Sequence, residues 1–221
     1  MKRLYVLVLV GCALGCAQPG VAGDDIFSYP VDGRVLLATT LQQPSRALSQ
    51  AQVLKGRFTH HKHLSELPQP LAANGDFTFA RDLGVYWHTQ KPFDSAFILT
   101  SKGIVQRDEG TETLRMSADD QPAVRVIANI FSALFTLDMT ALSGTFDVFS
   151  KPSTDKRWSI GLKPKSTAIA GVFKEALISG ATEIEQVILI DKHGDRTVIN
   201  LHEIDYSNHA PSAEVRALFK R

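Results

Sequence analysis

The sequence predicts an α+β protein, mainly β: a strongly curved antiparallel sheet, in effect an unclosed barrel, with helices covering its concave apolar side. Three observations predict it. Apolar and polar residues alternate over many short segments, the period-two signature of half-buried strands. The connections between these segments are short and rich in Gly, Asn, Asp and Pro, as in a meander. One central segment breaks the rhythm with apolar residues at helical spacing. About ten or eleven consecutive strands result, and a single sheet that long curls rather than staying flat.

The chain opens with Lys2 and Arg3, an apolar run over 4–10 and small residues up to Gly20, Val21 and Ala22. This pattern reads as a secretory signal over 1–22, too short to span a membrane permanently. Both cysteines, Cys12 and Cys16, fall inside it. Leu9-Val10-Gly11-Cys12 is the better sequence match to a cysteine acylation signal, and Ala13-Leu14-Gly15-Cys16 lies at the better distance. Lipid anchoring through Cys12 or Cys16 is therefore the minor alternative to cleavage after Ala22. The mature chain, 23–221, contains no evident linker and reads as a single domain.

A helix is predicted over 31–42, with Val35, Leu36 and Leu41 on one face and Pro44 ending it. Strands follow at 52–60, 72–81, 84–90, 95–100 and 104–107. In them Phe77 and Phe79 share a face, as do Val85 and Trp87, and Phe97 and Leu99. The segment 122–137 is the central helix, with Val124, Ile127, Phe131, Leu134 and Phe135 on one stripe and Pro122 suited to its first turn. Strands resume at 144–149, 156–162, 173–179, 184–191 and 196–205, with Trp158, Ile160 and Leu162 on one side. His193-Gly194-Asp195 is a hairpin turn, and 213–219 a short terminal helix.

Composition narrows the function classes. Hydrophobic residues make up 44% and charged residues 21%, as in an ordinary globular protein. The formal charge is +1, with 24 basic and 23 acidic residues and no basic stripe, so the footprint of a nucleic-acid binder is missing. There is no Gly-rich phosphate loop, no G-x-S-x-G elbow, no H-E-x-x-H and no cysteine after the leader. No catalytic residue, metal or cofactor is therefore assigned. The cluster His60-His61-Lys62-His63 is the one candidate for metal binding. Alternation sends its first two histidines to opposite faces, and Lys62 would repel a cation, so it reads as a polar strand end.

The order of motifs resembles the periplasmic lipoprotein carrier LolA and its relatives. Arg57-Phe58-Thr59-His60 is similar to that family's first strand. Gly75-Asp76-Phe77-Thr78-Phe79-Ala80-Arg81, Val85-Tyr86-Trp87 and Pro92 follow in the family's order, and Leu99-Thr100-Ser101-Lys102-Gly103 closes the half. In the second half, Arg157 to Lys165 and Val187 to Thr197 resemble a strand and a hairpin of the family. The chain departs from the pattern at His60, where the family has glutamine, and at Asp82, where it has proline.

The resemblance implies a non-enzymatic carrier that shields acyl chains of lipoproteins in an apolar cavity and delivers them across the periplasm from inner to outer membrane. Its implied partners are the acylated lipoprotein or lipid cargo, an inner-membrane ABC-type or other lipid exporter and an outer-membrane acceptor, with the carrier a monomer. The alternatives are a carrier for another acylated lipid, such as a glycolipid or polyene lipid, and an outer-membrane-anchored acceptor of the same fold. A periplasmic hydrolase is the competing class, and it lacks a motif. Implied cavity residues are Phe77, Phe79, Val85, Trp87, Phe97 and Leu99 from the first half. Trp158, Ile160 and Leu162 come from the second, and Ile127, Phe131, Leu134 and Phe135 from the lid helix. Arg81 matches the family arginine that hydrogen-bonds lid carbonyls and gates the cavity. An open hollow between sheet and lid is expected.

Overall fold

The structure, a computed structural model, describes residues 25–151, 157–171 and 173–220. The leader at 1–22, both cysteines and their acylation signals lie outside the described residues. A 3-10 turn at Ile26–Ser28 leads to α1 (Gly33–Ala38) and α2 (Gln42–Gln50). A first run of strands follows: β1 (Val53–His63), β2 (Leu71–Ala80), β3 (Gly84–Lys91), β4 (Ser95–Thr100), β5 (Gly103–Asp108) and β6 (Thr111–Ser117). Then come α3 (Pro122–Phe135) and α4 (Met139–Thr145). The second run is β7 (Phe146–Phe149), β8 (Trp158–Pro164), a short α5 (Thr167–Ala170), β9 (Phe173–Gly180), β10 (Ile184–Asp191) and β11 (Arg196–Ser207), closed by α6 (Ala213–Leu218).

All strands join one 11-stranded antiparallel sheet in the order β6-β5-β4-β3-β2-β1-β11-β10-β9-β8-β7. Each run is a meander, and the two meet where β1 pairs with β11. The result is two arms about a central seam, with β6 and β7 as separate edges, so the barrel is unclosed. Register shifts within β1–β11, β2–β3, β5–β6 and β9–β10 mark irregularities of the bulge type, which bend strands and increase local twist.

Both edges are defended. The outer edge of β7 pairs with the N-terminal strap: Val31 N donates to Val148 O at 3.0 Å and Ser150 N to Tyr29 O at 2.9 Å. The strap then runs over β8, where Gly161 makes room, since a Cβ there would sit 2.8 Å from the Phe27 ring. The edge β6 carries the Glu112–Arg115 ion pair, and charge on an edge discourages strand addition.

Several elements differ from the sequence expectation. The helix expected over 31–42 is two helices, and Pro44 lies in the first turn of α2 instead of ending a helix. A proline there removes no intrahelical bond, because amides in a first turn have no partner. Val35 is exposed while Leu36 and Leu41 are buried. β6, α4 and α5 add to the expected elements, and α4 takes residues 144 and 145 from the strand expected at 144–149.

Apolar side chains leave the sheet in two directions. Alternate residues of β1, β2, β3, β4 and β5, among them Leu54, Phe58, Phe77, Phe79, Val85, Leu99 and Ile104, join a large cluster on the concave side with α2, α3 and α4. The intervening positions Val53, Ala80, Ile98 and Val105 form a small convex cluster under Val215 and Phe219 of the C-terminal segment.

Candidate functional site

The concave face gathers every side chain that the sequence assigned to the cavity. Phe77, Phe79, Val85, Leu99, Phe135, Trp158, Ile160 and Leu162 are buried in one contiguous cluster. Trp87, Phe97, Ile127, Phe131 and Leu134 are half-buried and packed against it. Strand alternation on both arms and the 3.6-residue stripe of α3 bring them together. Phe58, Phe146, Phe173 and Leu201 also belong to this cluster, although they were not assigned to it. Phe58 carried the alternation signal, flanked by Arg57 and Thr59.

The aromatic side chains form a continuous stack. Phe58 lies 4.0 Å from Trp87 between ring centroids, and Phe77 5.8 Å from Trp87. Phe135, from the last turn of α3, packs on β2, its ring centroid 5.5 Å from that of Phe77 and 5.1 Å from that of Phe79. Gly56 makes room for the Phe77 ring, which a Cβ there would meet at 2.7 Å. On the other arm the Trp158 indole N–H donates to Ala181 O at 2.7 Å, which fixes the ring orientation.

The expected open hollow is not what the structure shows. The void left among Leu48, Leu54, Phe77, Phe135, Glu183, Ile184, Leu201 and Ile204 measures about 10 Å³. That is about the volume one water needs and is far below that of an alkyl chain. The physical reason is Phe135: its ring occupies the space, and an unfilled apolar cavity of that size would forfeit dispersion contacts. Around Phe135 the interior is therefore packed, with no room for a hydrocarbon unless that ring moves.

Towards the far ends of the strands the concave side is less covered. Trp87, Phe97 and Leu114 on the first arm, Val187, Leu189 and Ile199 on the second, and Ile127, Ile130, Phe131 and Leu134 on α3 are all half-buried. Above Phe97 the rim turns polar. There Asp108 accepts hydrogen bonds from Ser95 at 2.6 Å, Gln106 at 3.0 Å and Thr113 at 2.7 Å, which lower its pKa.

Arg81, just past β2, ties the closed end. Its guanidinium donates to the carbonyls of Leu48 at 3.0 Å, Ser49 at 2.8 Å and Ala51 at 3.0 Å, with a further bond from Nε to Ala51 O at 3.2 Å. These are the terminal carbonyls of α2 and its C-cap, at the negative end of the helix dipole; Leu48 O also accepts from Ala51 N at 3.3 Å. One cation thus holds α2, and with it buried Leu48, against the sheet.

Two histidines near the sheet centre contrast. His88, on the convex side, lies between Asp76 (Nδ1 to Oδ1 3.2 Å) and Asp94 (Nε2 to Oδ2 3.1 Å). Partial burial opposes its charge, but the bonds to the two carboxylates outweigh that and raise its pKa. His60 of β1 points to the concave side, two residues beyond Phe58, and its Nε2 is buried without a hydrogen-bond partner. Burial, and after it the charges of Lys62 and His61, lower its pKa.

A second space lies at the β7 edge, where Phe146 and Val148 of the same cluster line part of it. It is an open cleft of about 660 Å³ among Pro30–Arg34, Thr140, Ser143, Gly144, β7 and Lys165. Charged side chains of both signs border it, so it offers little to a hydrocarbon. Among the described residues there is no group of three or more His, Cys, Asp or Glu that could hold a metal ion. No helix among them is long and apolar enough to cross a membrane.

Residues 49–217, from the end of α2 into α6, match the model of the family described as outer membrane lipoprotein carrier protein LolA. No curated protein matches the sequence. Among solved structures the chain is similar to a LolA superfamily protein from Nitrosomonas europaea, at 8% identity and a TM-score of 0.43, over 81% of this chain and 97% of that one. It is similar to LprF from Mycobacterium bovis at 12% identity and 0.39, over 83% and 98%. It is also similar to a putative outer membrane lipoprotein-sorting protein domain from Vibrio parahaemolyticus, at 6% and 0.39, over 81% and 97%.

Proposed function

From the premise that this chain belongs to the LolA family of outer membrane lipoprotein carriers, we propose that it is a periplasmic, non-enzymatic carrier. It shields the acyl chains of lipoproteins between its sheet and α3 and delivers them from inner to outer membrane. The leader at 1–22 would export it, and 23–221 would be the carrier domain, acting as a monomer. It would receive cargo from an inner-membrane exporter and pass it to an outer-membrane acceptor. A carrier of another acylated lipid, or an anchored acceptor of the same fold, would use the same site.

One observation supports this reading above the rest. The whole set of candidate residues falls in a single apolar cluster, its rim side chains are half-buried, and one arginine ties α2 to the sheet at the packed end. Hydrocarbon transfer needs that arrangement, since each methylene withdrawn from a membrane must be re-buried at about 0.8 kcal/mol. In this reading Phe135 and its helix fill the hollow while it is empty of lipid and withdraw when an acyl chain replaces them. The exchange swaps one apolar contact for another, so small affinity differences between successive partners set the direction. No covalent step is required.

The test is native mass spectrometry of protein isolated from the periplasm, followed by addition of diacyl lipid in micelles. Acyl-lipid adducts on the wild type, and more of them on Arg81→Leu, are expected. Bare protein throughout, for both forms at saturating lipid, would overturn the carrier reading.

A further inference from the structure

His60 is out of place in its surroundings. Its neighbours on the concave side are Phe58 on its own strand, Ile199 across the β11 pairing and Ala73 across the β2 pairing. Phe58 in turn stacks on Trp87, and Ile199 lies opposite Val187 of β10. Among the described residues, its Nε2 is the buried side-chain nitrogen or oxygen left without a hydrogen bond. A buried polar group without a partner is destabilising, and a leucine in its place would bury more apolar surface at no such cost. The other central histidine has carboxylates on both nitrogens. The unpartnered Nε2 of His60 therefore sets it apart from His88 on the same sheet.

The location defines which acceptor suits this nitrogen. His60 lies at the level where the packed interior gives way to half-buried Trp87, Ile199 and Val187. A ligand there would have hydrocarbon toward the core and its first oxygen atoms at the imidazole. In an acylated glycerol those first oxygens are ester carbonyls. The imidazole is disposed to be neutral, because burial and the nearby Lys62 and His61 oppose its charging. A neutral imidazole carries a single N–H, suited to one carbonyl acceptor and poorly suited to a phosphate.

We propose that His60 is a specificity-determining residue of the cargo site, its Nε2–H donating a hydrogen bond to the ester carbonyl at the head of an acyl chain. The inference rests on the carrier reading and adds a polar contact to it. The ester can come from a lipoprotein's S-glyceryl-cysteine or from a free glycerolipid, which share this group.

The experiment compares esters with their ethers. A fluorescent fatty-acyl probe bound to the full mature chain is displaced by a diacylglycerol and by the dialkyl ether of equal chain length. The same pair is then presented as S-glyceryl-cysteinyl lipopeptides. Wild type is expected to bind ester over ether by roughly fivefold, the scale of one hydrogen bond, in at least one format. The format with the larger preference names the source. His60→Leu should abolish the preference while binding the ether within about twofold of wild type, and His60→Gln, which keeps a donor, should retain part of it.

Equal binding of ester and ether by wild type overturns the proposal and leaves the carrier reading intact. Failure of both lipids to displace the probe overturns the carrier reading and this proposal with it. An unchanged ester preference in His60→Leu overturns the role of His60, and equal loss of ester and ether binding shows that the residue is only structural. If His60→Leu does not fold, the 15N shift of wild-type His60 Nε2 decides. It must move with ester and stay with ether, and equal movement sinks the idea.

Discussion

The two faces of the sheet are finished to different standards. On the convex face a small cluster of Val53, Ala80, Ile98 and Val105 is sealed by Val215 and Phe219, and the nearby histidine has both nitrogens bonded. On the concave face a much larger cluster is closed at one end and left half-covered at the other, and the histidine there has an orphan nitrogen. The convex face behaves like an ordinary protein surface, where apolar groups are covered and polar groups are paired. The concave face leaves Trp87, Phe97, Leu114, Val187, Leu189 and Ile199 only half-buried. The convex cluster is small and sealed, whereas the concave cluster carries most of the buried core and ends in a half-buried rim.

The strongest way to break this comparison places the same charge on each side. Ile98→Asp buries a carboxylate in the sealed convex cluster, where no cation is paired with Ile98. A loss of more than about 4 kcal/mol, read as failure to fold or a collapsed denaturant midpoint, is expected. Phe131→Asp puts the carboxylate on half-buried α3, where water reaches it, at about 1 kcal/mol. That variant should fold and bind acyl lipid more weakly. Comparable destabilisation by both would mean that the concave rim is as closed as the convex one.

Phe77→Ala comes next. Phe77 is 1% exposed and touches Phe135 and Trp87, so its truncation should cost about 3–5 kcal/mol in urea unfolding. The cavity it leaves adjoins the space Phe135 fills. Lipid affinity should therefore rise as stability falls, a pairing that no convex truncation should show. A cost under about 1 kcal/mol would mean the interior is not packed as described.

Arg81→Leu has a smaller effect on stability. It removes the guanidinium from the carbonyls of Leu48, Ser49 and Ala51, of which Leu48 O keeps its bond from Ala51 N, at about 2 kcal/mol for a charged multidentate contact. Protection of α2 amides against hydrogen exchange should fall while that of β8 to β10 is unchanged. Uniform loss across the sheet would show that Arg81 supports the fold as a whole and does not latch one helix.

How much of this was legible in the sequence follows from the same contrast. Strands with one buried face announce themselves, so the Phe77/Phe79, Val85/Trp87 and Phe97/Leu99 pairings were readable from alternation alone. The stripe of α3 was readable for the same reason. The edge strand β6 was not. Thr111-Glu112-Thr113 is polar on both faces, and only Leu114 and Met116 carry a core signal. α4 escaped because MTALSGT mixes small residues without a stripe, and its cap, Asp138 accepting from Ala141 N, is visible only in three dimensions. The cavity residues were legible as a set because burial is written in residue type. Whether they enclose a space or fill it was not, since that depends on where Phe135 of α3 comes to rest, a tertiary matter no local pattern encodes.

The smallest effect separates the faces by pH. Both central histidines start from an ordinary pKa of 6.5, and the fold moves them in opposite directions. His88 binds its proton more tightly folded than unfolded, so its contribution is fully present below pH 6.5 and is lost as pH rises through its higher folded value. His60 binds its proton less tightly when folded, so its penalty is absent above pH 6.5 and grows as pH falls through its lower folded value. Wild-type stability should therefore peak near neutrality. His88→Gln should remove the fall on the alkaline side, and His60→Gln the fall on the acid side. Each amounts to about 0.2–1 kcal/mol, because His88 and its carboxylates are partly exposed and screened by solvent. Urea midpoints from pH 5 to 8 measure both slopes. If the two variants altered the same limb, the histidines would share one environment, and the distinction between a paired convex face and an unpaired concave one would fail.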